Sequence, residues 1–593
     1  GKGSGTNRGH TRRPHAEGPC GNGSRKDNIC TKVKQCCSGL CNKKAGKKNL
    51  DGKGRCRCVR KNGKCSEDRN CCTRKGQQLS CVNGTCGGSS SPLIPTGDPC
   101  VPGVDTCADA NASCTTYDTG SPGPAGDYCL LPLLGETCTD DLDCTVYSCY
   151  AGACVTCFCG GCPDATLCAS PTVASGGSVQ AAITAASDGD TITIAPGAYV
   201  EDLSITGKNL TLLGCPSGGN EVILKNATQG VRTIQVPDES DLTINDIVIQ
   251  GDNDIPNSIG GGGIATAGGN VCIGLRTRVE QCARFGAEGG GLYFGKNANE
   301  DQTLTITDAA IFDGNVTDSY GGGIYAGDGT AAVLSGNVKL VNNKAANGGG
   351  ITFYYGGQQT VGANVEITDN AADSYGGGIY FYGGNYTSPA THAVFGGNLL
   401  IARNTAGSGG AGIASQYGSQ LETIVIEGDA LITGNVADTY GGGIYSDNVN
   451  LTIRDNAKIT ANAAMGPTNP YGGGGVYFSC SGANNPVLSL EGATEISGNS
   501  STFEGGGVIL RCATLNLSGT ASIKNNTAIN NGGGVWVDNG AGAAITRSDN
   551  ASITGNSAAD GGGVYDESGG VTVTAGLVTS NTPNNCAGNS LTC

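Results

Sequence analysis

Thiols are the most distinctive reactive groups of this chain: it holds 31 cysteines in 593 residues, with only three histidines. Cysteine at that density belongs to an oxidising, extracellular compartment, where pairing into disulfides is the default chemistry. Twenty-four cysteines fall between Cys20 and Cys168 and seven follow. Cys154, Cys157, Cys159 and Cys162 have spacings that zinc could use, but an even local count in a secreted chain reads as disulfides, and no metal is expected. Of the later seven, Cys586 and Cys593 are placed to tie the C-terminal end. Cys480 and Cys512 stand 32 residues apart, one repeat, which would place them side by side on neighbouring coils, and Cys272 with Cys282 would close a short loop. That assignment leaves Cys215 without a partner, or pairing back to the head at another cysteine's expense; the odd total means at least one free thiol or an intermolecular bridge.

Acid–base chemistry is thinly provided. Arg276, Arg278 and Arg284 lie close to Glu280 and Glu288, the densest such group. Glycosidases need two carboxyl groups about 5–10 Å apart, yet an acidic repeat supplies such pairs by coincidence. His10, His15 and His392 read as surface residues. Asp252-Asn253-Asp254 and Asp369-Asn370 offer oxygen ligands for calcium, but turns use the same residues without a metal. No catalytic residue, metal site or cofactor is expected.

The elements that would carry these residues repeat. Eleven glycine clusters followed by Ile, Leu or Val end at Gly263, Gly291, Gly323, Gly350, Gly378, Gly412, Gly443, Gly475, Gly507, Gly534 and Gly563, at intervals of 27 to 34 residues. A second mark, an aliphatic residue or Phe three positions before Asn, precedes most clusters and ends at Asn315, Asn343, Asn370, Asn404, Asn435, Asn462, Asn499, Asn526 and Asn556. Alternating stretches such as Leu304-Thr-Ile306 and Leu451-Thr-Ile453 read as short strands with one face inward. A period near 30 with three short strands means a solenoid. The expected fold is all-β, a right-handed parallel β-helix of about 14 coils over residues 169–593. At about 4.8 Å per coil it would be some 60–70 Å long. Asn is expected at one coil corner, where its amides can form a ladder, and glycine at another. Aliphatic residues are expected to fill the interior. A short helix near 178–186 would plug the first coil, and residues 580–593 would cap the last.

The stretch from Ser178 to Leu212 resembles the opening of pectin-lyase-like β-helices. The repeats resemble those of the chlamydial polymorphic outer membrane proteins and of other secreted bacterial β-helices. That resemblance implies the fold; none of the lyase or esterase motifs accompanies it. Upstream, after a basic tail (1–19), Cys20, Cys30, Cys36, Cys37, Cys41 and Cys56 (module 20–57) share a framework with Cys58, Cys65, Cys71, Cys72, Cys81 and Cys86 (module 58–86). Both resemble knottins. A linker (87–99) and a third cysteine-rich module (100–168) follow.

Charge is split along the chain. Residues 1–86 hold 21 Lys and Arg against 5 Asp and Glu, while the rest holds 15 against 46, which recovers the net −15. A basic head docks on acidic material, and nothing resembling a nucleic-acid module or a membrane span is present. The chain starts at Gly1 without a signal peptide and reads as a mature, secreted form. These features point to a secreted structural protein that assembles head to tail into a fibre or sheath, its basic head on a neighbour's acidic β-helix. The alternatives are a monomeric adhesin or binder of anionic polysaccharide or a cell surface, and a polysaccharide lyase or glycoside hydrolase.

Overall fold

A computed structural model describes residues 165–593, except 252–261, 296–301, 356, 384–391, 417–422, 467–471, 481–485, 539–543, 568, 570, 590 and 592–593, together with isolated strands before residue 156. The chain divides into two compact units, Gly1–Glu136 with Asp141–Val146, and Thr137–Asp140 with Tyr147–Cys593. In the first unit Gly54–Cys56 pairs antiparallel with Ile29–Cys30 and Cys41–Asn42. Thr85–Cys86 pairs likewise with Gly63–Lys64 and Cys81–Val82. The knottin-like links expected for Cys20 to Cys86 lie outside the described residues.

The second unit is a parallel β-helix. Three sheets of fourteen strands run its length, and a fourth sheet of nine two- to five-residue strands spans its middle. One coil shows the order: Thr303–Ile306 in the first sheet, Ile311–Asp313 in the second, Val316–Thr317 in the fourth, then the glycine cluster and Ile324–Ala326 in the third. Alternation decides which side chains point inward. Phe312, Leu340, Ile367, Ile401, Ile432, Ile459, Ile496, Ile523 and Ile553 stack in register along the second sheet, all buried. Ile324, Ile351, Ile379, Ile413 and Ile444 do the same in the third.

The interior is less purely aliphatic than expected. Phe294, Phe312, Phe353, Phe395 and Phe478 are among the largest fully buried side chains, and Phe353 stacks on Phe381 with ring centroids 4.9 Å apart. A column that mixes Ala326 and Ser415 with these rings keeps the cross-section filled where neighbouring coils offer small residues.

Val179–Ala185 forms the helix at the N-terminal end, burying Val179 and Ile183 on the first coil. Its ends are closed from the β-helix itself. The Glu201 carboxylate accepts from the Val179 and Gln180 N–H groups and the Ser178 hydroxyl, each at 2.9 Å. The Lys208 ammonium donates to the carbonyls of Ile183, Thr184 and Ala186 at 2.8–3.2 Å. An acid at the helix start and a cation at its end also match the helix dipole.

Candidate functional site

The expected Asn ladder exists and is continuous. Asn315, Asn343, Asn370, Asn404, Asn435, Asn462, Asn499, Asn526 and Asn556 are all buried, and Asn581 adds a tenth rung that the sequence reading missed. Each Nδ2 donates to the next Asn Oδ1 at 2.9–3.0 Å. That Oδ1 also accepts the backbone N–H of the preceding Asn, as from Asn404 to Asn435 at 2.9 Å. The second Nδ2 hydrogen goes to a carbonyl one coil back, from Asn435 to Ile401 at 3.0 Å. At the far end Asn585 Oδ1 accepts from Asn581.

The glycine clusters sit against this ladder. A Cβ on Gly443 would meet the Gly475 carbonyl at 2.6 Å and the Asn462 Nδ2 at 3.0 Å, and the other last glycines from Gly291 to Gly563 are hemmed in likewise. The first glycine of the same cluster, Gly441, has φ 54°, in the region only glycine enters freely. Asn and glycine are therefore two halves of one packing contact between successive coils. Both residue types are consumed by architecture.

Outside the third sheet the position after each cluster's aliphatic residue forms a column: Tyr293, Tyr325, Thr352, Tyr380, Ala414, Tyr445, Tyr477, Ile509, Trp536 and Tyr565. Ala265 opens the column beside Tyr293, and beyond it Thr352 and Ala414 are the small residues. Each gap is bridged by a tyrosine that precedes the glycine cluster one coil earlier. Tyr320 stacks on Tyr380 across the first, 6.0 Å between centroids, and Tyr375 reaches Tyr445 across the second at 5.6 Å. Two positions further along the strand, Tyr354 and Tyr382 lie in register and stack at 4.7 Å with planes 4° apart.

With coil, ladder and aromatic face described, one comparison speaks to kinship. Residues 429–447 match the Chlamydia polymorphic membrane protein repeat. The match holds both marks of one coil, Ile432 to Asn435 and Gly441 to Ile444. It identifies that coil as similar to a repeat of this kind. No curated protein and no solved structure matches the chain.

Cysteines in these repeats follow the expected pairing at Cys480 with Cys512 and depart from it at Cys215 and Cys282. Cys215 is not left over: it forms a disulfide with Cys168, Cα atoms 5.4 Å apart. Cys480 and Cys512 are bonded, 6.0 Å between Cα atoms, on neighbouring coils. Cys272 and Cys586 are both disulfide-bonded, with partners outside the described residues. Cys282 is the free thiol among the described residues and is fully buried. It cannot reach Cys272, which sits outward of the first-sheet ladder between Thr243 and Thr305. Cys282 points inward and takes the ladder slot of its coil: its N–H donates to Asn315 Oδ1 at 3.1 Å. The signal was present as Val279-x-x-Cys282, the Asn mark with cysteine in its last place. Burial pushes this thiol's pKa up to about 12, so it is inert rather than bridging.

The arginine-rich region is likewise structural. Arg276 forms a two-pronged pair with Asp246 at 2.9–3.0 Å, one coil back. Arg278 grips Glu221, two coils back, at 2.6 and 3.1 Å and holds Glu280 at 3.2 Å. The hydrogen bond from Arg278 holds the Glu221 carboxyl below its usual range. Arg284 donates to the Gly230 carbonyl at 2.8 Å. Arg232, which no sequence signal marked, donates to the carbonyls of Ile264, Gly289 and Glu288 at 2.6–3.1 Å and lies over the Tyr293 ring. Burial, then the charge of Arg284, brings its pKa down to about 10.

Asp369, a possible calcium ligand by sequence, pairs with Arg403 instead, whose hydrogen bond lowers its pKa; Asn370 is in the ladder. Asp252, Asn253, Asp254 and the His392 side chain lie outside the described residues. Among the described residues no three His, Cys, Asp or Glu side chains gather as metal ligands, and no helix is long and apolar enough to cross a membrane.

One acid stands apart. Asp308, at the corner between the first and second sheets (φ 55°), is 4% exposed, and its Oδ1 has no hydrogen-bond partner. Burial raises its pKa to about 7.

Proposed function

We propose that the chain is an extracellular scaffold, surface-borne or secreted, that assembles with further copies of itself. The observation that carries this reading is the ladder, in which the frequent polar residues of ten coils are spent on joining one coil to the next. A wall held that tightly suits display and load-bearing. The matched repeat belongs to a family described as polymorphic membrane proteins, which supports placement at a cell surface or outside it.

The route we favour is the basic segment 1–86 of one copy docking on the acidic residues of the next. The helix Val179–Ala185 covers the first coil, so strand-on-strand stacking would need it displaced. Contacts of this head-to-tail kind repeat without closing and build filaments. Among the described residues the free thiol, Cys282, is buried, which favours charge over a thiol bridge as the link. Negative-stain microscopy of the full chain, over a range of salt and redox conditions, tests the reading. Filaments at low salt are expected; isolated particles under every condition would overturn it.

A further inference from the structure

The tyrosine cluster around Tyr354 and Tyr382 has no part in the Asn ladder, and its geometry bears on what it can do. A carbohydrate-stacking platform turns ring faces to solvent. Here the faces of the two central rings turn on each other, 4.7 Å apart and 4° from parallel. Tyr320 abuts both edge-on from one quarter, at 5.6 and 6.4 Å with interplanar angles of 62° and 64°. Tyr355 abuts both from another, at 4.4 and 5.1 Å and 65° and 69°.

Tyr355 does so from a left-handed backbone, φ 47°. For a bulky residue that conformation is strained. The chain thus holds four phenol rings within ring-to-ring reach on neighbouring coils, all partly open to solvent. The other tyrosine stacks differ. Tyr293 with Tyr325, Tyr320 with Tyr380 and Tyr445 with Tyr477 are wider, at 5.3, 6.0 and 5.4 Å, and each has one deeply buried member, Tyr325 at 8%, Tyr380 at 2% and Tyr477 at 2% exposure.

We propose that Tyr354 and Tyr382 form a site of oxidative cross-linking, joining two coils of the β-helix through a dityrosine bond. The oxidant is a peroxide acting through a peroxidase, an extracellular reagent consistent with the chain's cysteine content. Each phenol loses one electron and its hydroxyl proton. The two phenoxyl radicals couple through the ring carbons beside the oxygens, and the displaced ring hydrogens return to oxygen to restore both phenols. One new carbon–carbon bond replaces two C–H bonds, and one hydrogen peroxide is reduced to two waters. Register pairing keeps the two backbones one coil apart, about 4.8 Å, so side-chain rotation alone brings the ring carbons together. The inference is independent of how copies assemble, because the bond lies within one chain.

The test uses the full chain, horseradish peroxidase and limiting hydrogen peroxide, followed by digestion before aspartate. Asp328, Asp369 and Asp373 place Tyr354 in fragment 328–368 and Tyr382 in fragment 373–428. The expected product is these two fragments linked, lighter by two hydrogens, with fragmentation locating the bond at Tyr354 and Tyr382. Y354F and Y382F each keep a ring for packing and are expected to lose the linked pair, while Y565F retains it. Dityrosine forming only elsewhere in the chain or only between molecules would overturn the proposal. So would a linked pair that survives Y382F through Tyr375, Tyr380, Tyr386 or Tyr417. Should a variant fail to fold, as read by circular dichroism, the position of the bond in the unmodified chain decides alone.

Discussion

At the scale of single residues the ladder makes its strongest claim at its middle. Replacing Asn435 by Ala strands the Asn404 backbone N–H and Nδ2, both of which end on Asn435 Oδ1, and frees the Ile401 carbonyl. Each buried group left unpaired costs about 1–3 kcal/mol. Asn435→Ala is therefore expected to lower stability by about 2–4 kcal/mol, read as a drop in the urea midpoint; a loss within error would deny the ladder its role. Asp308 gives a pH signature. Its folded pKa of about 7 stands above the ordinary carboxyl value of 3.8, so between those values the folded chain binds the extra proton. Stability then falls as pH rises from about 4 to about 7 and stays lowered above. The nearby cation Arg276 is engaged by Asp246, and its backbone N–H donates to the Asp308 carbonyl at 2.9 Å. Asp308→Asn should gain on the unmodified chain from pH 4 to pH 8, and midpoints that run parallel across that range would count against the assignment. The Asn positions were legible because one residue type recurs at one phase. Cys282 hid in the same phase because cysteines invite counting by pairs. Arg232 and Asp308 were not legible, since burial at a corner depends on which coils stack there.

At the scale of the coil, two substitutions three residues apart should act with opposite sign. Gly443→Ala puts a methyl 2.6 Å from the Gly475 carbonyl, a contact that forces adjacent coils apart and is expected to cost about 1–3 kcal/mol. Ser446 lies on the following strand with its hydroxyl buried and without a hydrogen-bond partner. Ser446→Ala removes that unmet group and should leave the midpoint unchanged or raise it. If both lower it alike, the coil is sensitive to any change and the corner contact is nothing special. The period, the three strands and the capping helix could be read from glycine spacing and alternation, because each depends on near neighbours in sequence. The tyrosine that bridges Thr352 or Ala414 could not. Its partner stands two coils away across intervals of unequal length, so the match exists only once register is known. Cys168 with Cys215 fails for a similar reason: 47 residues is no multiple of the repeat, and Cys168 had been counted among its upstream neighbours.

At the scale of the whole molecule, charge and strand edges offer two different ways for copies to meet, and salt separates them. Residues 1–86 carry +16 and residues 87–593 carry −31. Attraction between exposed charges is screened over about 10 Å at 0.1 M salt and about 3 Å at 1 M. Docking of the basic segment on a neighbour should therefore dissolve as salt rises through that range. Joining of β-helix ends is held by backbone hydrogen bonds and apolar contact, which high salt does not weaken. The structure already handicaps that second route at one end, where Val179 and Ile183 occupy the surface a further coil would need. Sedimentation of the full chain at 0.05, 0.15 and 1 M salt (about a third, one and several times physiological strength) should show large species giving way to the monomer. Replacing Lys43, Lys44, Lys47 and Lys48 together by Glu should abolish the large species at the lowest salt without altering the thermal transition of the β-helix. Large species that persist at 1 M, or that survive the charge reversal, would move the contact from the basic segment to the ends of the solenoid and would require the N-terminal helix to leave its seat.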